Sequence, residues 1–364
     1  MSKSTIESGL KRIAASKPYR EALGLPVEVT EEYTLLAQGE YNINYIFAHP
    51  ITGKKLVLRV NCGSQMHLEN QITYEYRALE LLERSGRTPA VYYVDDTKQF
   101  INNGVLVMEY LPGHSLIYEK EMDKALAVLA DIHSVNIEPQ NKGEETVSIS
   151  GTTLLAPREP LKAILEECEQ MAAKFFDYEQ ADIMIKQKIR KLLDYGWKRL
   201  DRKTGVSPYN CIINTELNST NFLINGPGEQ SYLIDWEKPL FGDPAQDLGH
   251  FLAPTTTFWK TDTIFTPQEI DYYIDEYIYA VAGRYNTTKQ NKNKNCSEFN
   301  TAELRERTHD FVPITCLRGV TWCAMAWVEY RQPGRDITNE STARKLEQYI
   351  NPEFLDRIEE LIEA

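Results

Sequence analysis

Asn221 and Asp235 carry oxygen ligands, and one short hairpin would bring them together. Phe222–Ile224 is apolar, Gly226-Pro227-Gly228 has turn chemistry, and Tyr232–Ile234 is apolar again. That pattern reads as strand, turn, strand. Asn221 and Asp235 are each seven residues from Gly228, so a hairpin symmetric about Gly228 sets them side by side at its open end. An amide oxygen beside a carboxylate suits Mg²⁺, which takes one or two protein oxygens and completes its octahedron with water and nucleotide phosphate. A turn-flanking Asn and a strand-end Asp also occur without any metal, so the hairpin needs its context. Glu216 supplies it, five residues before Asn221 on the polar loop Asn214-Thr215-Glu216-Leu217-Asn218-Ser219-Thr220. A carboxylate at that place can accept the proton of an attacking hydroxyl.

A second group of residues could hold the nucleotide. Residues 66–84 have helical periodicity, with Leu68, Ile72, Leu79 and Leu82 on one stripe and Glu75 among them. A carboxylate facing a core requires a cationic partner. Arg59 is the natural one, because Leu58-Arg59-Val60 alternates as a strand and turns Arg59 away from its neighbours. Such a pair either holds α/β-phosphates or is purely structural. Gly39 lets backbone N–H groups approach a phosphate, or merely turns a hairpin. Gly39 and Asn42 are candidate nucleotide contacts on that account. Glu109 and Leu111 end an apolar strand before Pro112-Gly113, where backbone groups can face adenine or simply connect two lobes.

The elements that must position these residues fall into two textures. Strands are predicted over 32–37, 42–48, 55–60, 90–95 and 104–110, with the helix 66–84 among them. Beyond Leu111-Pro112-Gly113 helix dominates, over 119–135, 161–173, 178–202, 267–284, 313–330 and 342–363, interrupted by a strand pair within 211–233. The expected fold is α+β: a β-rich small lobe over residues 1–111 and a helical lobe over 112–364. The Asn/Lys-rich stretch 286–295 has no period and reads as a solvated loop.

Composition narrows the function classes. A net charge of −13 argues against a nucleic-acid partner, which needs a basic footprint, and is compatible with a cationic or neutral substrate. The six cysteines form no CxxC pair and read as free thiols in a reducing compartment. The first twenty residues lack the apolar stretch of a secretory signal, and no run of about 18 apolar residues suggests a membrane span. The expected location is cytoplasmic.

Together these residues resemble the aminoglycoside phosphotransferase and choline kinase family, protein-kinase-like enzymes that phosphorylate small-molecule hydroxyls. The family's Ile-Asp-Trp-Glu stands intact as Ile234-Asp235-Trp236-Glu237. Its Gly-Asp-Pro…Asp-Leu is Gly242-Asp243-Pro244…Asp247-Leu248, and its upstream Leu-Ala-x-Ile/Leu-His is Leu129-Ala130-Asp131-Ile132-His133. Its catalytic loop, His-Gly-Asp-Leu-His-Pro-Gly-Asn, is here Asn214-Thr215-Glu216-Leu217-Asn218-Ser219-Thr220-Asn221. The resemblance covers about residues 32–255. It implies ATP and Mg²⁺ as cofactors, Glu216 as base, Asn221 and Asp235 as metal ligands, and Arg59, paired with Glu75, on the α/β-phosphates. Asp243 reads as a helix N-cap before Pro244, and Asp247 and His133 read as structural.

Three of the loop's departures from the family bear on its chemistry. Glu replaces Asp as the base, adding about 1.5 Å of reach, and a misplacement of that order can cost about 10²-fold in rate. Asn214 and Thr215 stand where the family has His and Gly. A carboxylate, an amide and an aspartate are nevertheless kept, which favours an ATP-dependent small-molecule kinase. The alternative is a pseudokinase that binds nucleotide without turnover. A protein substrate is disfavoured, since no activation-loop-like segment follows Asp235. For the acceptor, Trp322, Trp327, Glu329 and Tyr330 lie on the apolar 313–330 helix. They are either aromatics that box a quaternary ammonium or ordinary core. Glu237 is a further acidic group that could face the amines of an aminoglycoside.

Overall fold

The computed structural model describes residues 3–27, 29–39, 41–64, 66–143, 145–200, 207, 209–288, 301–332 and 340–363. Its small lobe is built on a five-stranded antiparallel sheet, in the spatial order Thr34–Gln38, Asn42–Ala48, Lys55–Asn61, Val105–Glu109, Val91–Asp95. Each predicted strand appears within about two residues of its expected bounds. The pleat gives the central strand Lys55–Asn61 two different faces. Leu56, Leu58 and Val60 pack outward in one core cluster, while Val57 joins the main core and Arg59 turns the same way. Two helices that sequence reasoning missed, Lys3–Ala14 and Lys17–Ala22, cover the outward face. Ile6, Leu10 and Ile13 recur at helical spacing and are buried against it.

The small-lobe helix runs Gln71–Leu82, starting later than the periodicity predicts. Leu68 therefore leaves the stripe, whereas Ile72, Glu75, Leu79 and Leu82 form it and are all buried. After Glu109 the chain leaves the sheet. Gly113, at φ 143°, passes so close to Leu223 that a Cβ there would lie 2.8 Å from its backbone. That close approach lets His114–Ser115 pair with Phe222–Ile224, so the connector becomes the third strand of the predicted hairpin's sheet.

The large lobe is mostly helical. Helices Tyr118–His133, Pro160–Asp177, Ile183–Leu200, Pro244–Leu252, Pro267–Thr288 and Thr301–Glu329 contribute to one continuous core. Gly249 lets two of them touch: a Cβ at this position would lie 2.3 Å from Phe311. The helix expected over 313–330 begins twelve residues earlier and runs through Pro313. Proline there removes the donor that would reach the carbonyl of His309; Arg199 replaces it, donating from Nη2 to that oxygen at 3.3 Å. The predicted helix 342–363 is two, Glu340–Tyr349 and Pro352–Glu363, because Pro352 ends one and starts the other. The predicted strand pair also divides: Cys211–Ile213 pairs with Leu240–Gly242, outside the hairpin. Residues 286–288, expected to be loop, end the Pro267–Thr288 helix; 289–295 lie outside the described residues.

Among the described residues one helix stretch, Glu303–Glu329, is by length and mean hydropathy apolar enough to cross a membrane, although it holds no unbroken run of 18 apolar residues. Two thirds of its apolar window (67%) is buried inside the protein, as in the core helix of a large lobe.

Candidate active site

The hairpin of Phe222–Ile224 with Tyr232–Leu233 forms, but its register is one residue from the symmetric count. Phe222 pairs with Leu233 and Leu223 with Tyr232. The Ile234 N–H donates to the Asn221 carbonyl at 2.9 Å. The reason is the turn, which is closed by Glu229 N–H to Gly226 O at 3.1 Å and so centres between Pro227 and Gly228. Asp235 therefore sits one residue beyond the residue facing Asn221. A slip of one normally reverses the face a side chain takes. Asp235 adopts φ 66°, which takes it off the ladder, and its Oδ1 lies 3.1 Å from Arg59 Nη1.

The loop before Asn221 is held from below by Asp247. This fully buried carboxylate accepts the N–H of Asn214 and of Thr215, each at 2.8 Å, and faces His133 Nε2 at 3.1 Å. His133 Nδ1 in turn meets the Tyr277 hydroxyl at 2.7 Å. Thr215, where the similar family has glycine, has φ 64°. A left-handed backbone costs an L-residue about 1–2 kcal/mol. The two-N–H grip of Asp247, together with Thr215 Oγ1 donating to Lys238 O at 2.8 Å, holds it there. Asn214 does not reach outward as a catalytic group would. Its Nδ2 donates to Asp235 O at 3.0 Å and its Oδ1 accepts the Glu216 N–H at 3.0 Å, tying the loop to the hairpin. Asn221 Nδ2 donates to Glu216 O at 2.8 Å, leaving its carbonyl oxygen as the group to offer a cation.

Two ion-pair systems meet here. In the first, Arg59 donates to Glu75 at 2.6 Å, to Asp235 at 3.1 Å and, through Nε, to Asn44 at 3.1 Å. Burial raises the Glu75 pKa and Arg59 only partly offsets it. Glu75 Oε2 is buried with no partner. In the second, Glu216 Oε1 lies 2.9 Å from Lys238 Nζ and 3.5 Å from Arg318 Nη2, and Arg318 also binds Glu167 at 2.8 Å. Burial alone would raise the Glu216 pKa, but Lys238 and then Arg318 outweigh it and the net shift is downward. The Glu216 side chain keeps 22% of its surface exposed, and its printed ion-pair contacts both fall on Oε1. Glu237 behaves oppositely: burial, then Asp235 and Glu216, push it up to about 9. Its side chain accepts from Asn42 Nδ2.

The other expected nucleotide contacts are more committed to the protein than the sequence suggests. Gly39 gives its N–H to Asn42 O at 2.8 Å, closing the first hairpin, so that donor is not free for a phosphate. Asn42 is buried between Glu237 and Asn61, whose Nδ2 donates to its Oδ1 at 3.0 Å. The Glu109 carboxylate pairs with Lys54 at 2.9 Å and its N–H reaches Ala90 O at 2.8 Å. Leu111, buried, follows where the sheet has ended. Asp243 caps the Pro244–Leu252 helix through Ala245 N–H at 2.9 Å and binds Arg307 Nε at 2.6 Å.

Beside Glu216 opens a cavity of about 680 Å³, lined among others by Thr215, Lys238, His250, Arg318, Trp322 and Glu329. Of these, Lys238, His250 and Arg318, with Glu167 behind Arg318, were missed from the sequence. Arg318 lies some hundred residues from the loop it grips, and no local spacing announces it. Lys238 had one signal, its place directly after Ile234-Asp235-Trp236-Glu237. Trp322 lines the cavity; Trp327 does not, being packed on Phe175 and Tyr178 with Arg331 over its ring.

Choline kinase from Cryptosporidium parvum Iowa II superposes with a TM-score of 0.61 at 12% identity, covering 99% of this chain and 97% of that one. Plasmodium vivax ethanolamine kinase gives 0.57 at 13%, over 90% and 83%. A spectinomycin phosphotransferase, solved with ADP and spectinomycin, gives 0.53 at 12%, over 92% and 93%. At such identities the likeness shows a shared fold, the two-lobed kinase-like α+β fold. A sequence search of curated proteins finds no match. The profile of the phosphotransferase enzyme family matches residues 32–285, which contain the five-stranded sheet, the loop 214–221 and the hairpin, and the chain belongs to that family.

Proposed function

We propose that the chain moves the γ-phosphoryl group of ATP to a hydroxyl of a small molecule. The observation that carries this reading is the reach of Arg59. Its guanidinium joins Glu75 of the small-lobe helix to Asp235 of the hairpin, and Asn214 joins Asp235 to the loop bearing Glu216. The phosphate-side cation, the metal-side carboxylate and the base thus form one connected set. Phosphoryl transfer asks for little else, since its catalysis is positioning and charge neutralisation.

In this reading Glu216 Oε2 accepts the acceptor's hydroxyl proton while Lys238 and Arg318 fix Oε1. Arg59 binds the α/β-phosphates. Backbone at Glu109 and Leu111 faces the adenine, and Gly39 and Asn42 shape the hairpin over the phosphates. The Asn221 carbonyl and the Asp235 carboxylate fit Mg²⁺. They are two oxygen donors, and among the described residues no cluster of three His, Cys, Asp or Glu offers a full protein cage. Mg²⁺ held there would neutralise phosphate charge.

Melting in the presence of ATP tests the nucleotide half. With ATP at about 100 times its Kd, linkage stabilises the folded state by about 2.7 kcal/mol, and this should require Mg²⁺. No Mg²⁺-dependent rise in Tm overturns the proposal. The base half is tested by pH. Glu216 acts only when ionised, and Lys238 helps hold its pKa down, so the active form survives to low pH. Lys238→Met removes that help, raises the Glu216 pKa and moves the acidic limb of the kcat profile to higher pH. A limb that stays in place removes Glu216 from the role of base.

A further inference from the structure

We infer that the acceptor is an uncharged polyhydroxy compound, sugar-like or nucleoside-like, and neither a polyamine nor a quaternary ammonium. The inference rests on the proposed phosphotransfer in taking the cavity beside Glu216 as the acceptor's place.

Recognition of a polycation needs carboxylates with charge to spare. Every carboxylate lining this cavity among the described residues already has a cation. Glu167 binds Arg318 at 2.8 Å, and Glu329 binds Lys174 at 2.8 Å. Glu216, reached past Lys238 and Arg318, binds Lys238 at 2.9 Å. Three carboxylates meet three cations, and the cleft is electrically balanced. Burial raises Glu167 in principle, but Arg318 and Lys238 bring it down to about 2, so it stays ionised in its pair. Burial and Arg318 push His250 down to about 4, so its ring is neutral near pH 7. An ammonium guest would have to displace Arg318 or Lys174 from its carboxylate; a phosphorylated or carboxylated guest would have to do the reverse.

The aromatic groups do not form a cation box either. Trp322 offers one ring to the cavity, braced edge-on by Trp259 at 5.3 Å. Trp327 already carries Arg331 at 3.5 Å over its face.

What the cavity does offer is matched to hydroxyls. The amides of Gln170 and Gln246 and the ring of His250 line it, and no hydrogen bond to the protein engages these side chains among the described residues. Each presents both a donor and an acceptor, as a hydroxyl does. Trp322 gives an apolar platform of the kind on which a sugar face or a nucleobase stacks.

Initial rates of ADP formation by the full-length protein, over a panel of monosaccharides, polyols and nucleosides against choline, ethanolamine, an aminoglycoside and a sugar phosphate, test this. The best uncharged compound should exceed the best charged one by about 100-fold in kcat/KM. Its KM should change by less than about twofold between low and high salt, because no net charge is being paired. Calorimetry with the same compounds, without nucleotide, reads acceptor binding by itself. Lys174→Met removes the cation that Glu329 binds and should lower KM for the amines by about tenfold. A cationic or anionic compound as best acceptor, a KM that rises about tenfold with salt, or no binding by any uncharged compound overturns the inference. If Mg²⁺·ATP stabilises the protein and only amines are phosphorylated, the inference falls and phosphotransfer stands. If ATP does not bind, phosphotransfer falls, and calorimetry still decides the acceptor class.

Discussion

Glu216→Gln lowers kcat by about 10²–10⁴-fold, the range a positioned general base supplies, while the Mg²⁺·ATP-dependent rise in Tm is retained. The side chain keeps its size and its hydrogen bonding but loses the charge that accepts the hydroxyl proton. In the proposed reading the nucleotide is held by the other ion-pair system, around Arg59, Glu75 and Asp235, so binding should be spared. One side effect must be separated. Lys238 is 6% exposed and Glu216 is its ion-pair partner, so the substitution leaves a buried cation uncompensated. The double variant with Lys238→Met removes that cation. It should recover stability without recovering rate. A single variant within about tenfold of the parent rate refutes the assignment of Glu216. A parent protein that binds ATP with Mg²⁺ but phosphorylates no acceptor would mark a pseudokinase.

How the site became readable differs from residue to residue. Glu75 on an apolar helical stripe demanded a cation, and the alternation of Leu58-Arg59-Val60 pointed to Arg59; the contact is there at 2.6 Å. That inference worked because a buried charge is costly enough for one residue to constrain another. The hairpin's existence was equally legible, since turn chemistry and apolar arms are local. Its register was not: whether a turn centres on a residue or between two depends on backbone hydrogen bonds that composition does not encode. Asp235 recovers its place near Arg59 through a left-handed φ that Gly would adopt freely and that Asp tolerates better than most residues. The Glu216 cradle was illegible for a different reason. Lys238, Arg318 and Glu167 come from three segments that only the packing of the large lobe brings together. The two N-terminal helices are a case of signal present and unread: Ile6, Leu10 and Ile13 have helical spacing, and only the sheet face they cover shows why.

Asp247→Ala destabilises the protein by about 3–5 kcal/mol, the cost of removing one partner from a buried charged network. Urea unfolding should show the midpoint fall with the slope unchanged. Asp247 is fully buried and serves three groups at once: the N–H of Asn214, the N–H of Thr215 and the ring of His133. Alanine leaves all of them without that acceptor in a dry interior, and each unmade bond costs about 1–3 kcal/mol. The loss also reaches the chemistry. Thr215 holds φ 64° in part because Asp247 grips its N–H, and Glu216 is the next residue. Once the grip is gone, Thr215 relaxes to the backbone a β-branched residue prefers, and the carboxylate moves from its place between Lys238 and Arg318. A stable Asp247→Ala protein, recovered by working well below its Tm, should therefore still be slow. Adding Thr215→Gly to it should not restore the rate, because glycine makes the left-handed turn cheap but supplies nothing to hold it. A loss of stability under about 1 kcal/mol, or a full rate in the folded variant, would show that the loop is positioned by something other than Asp247.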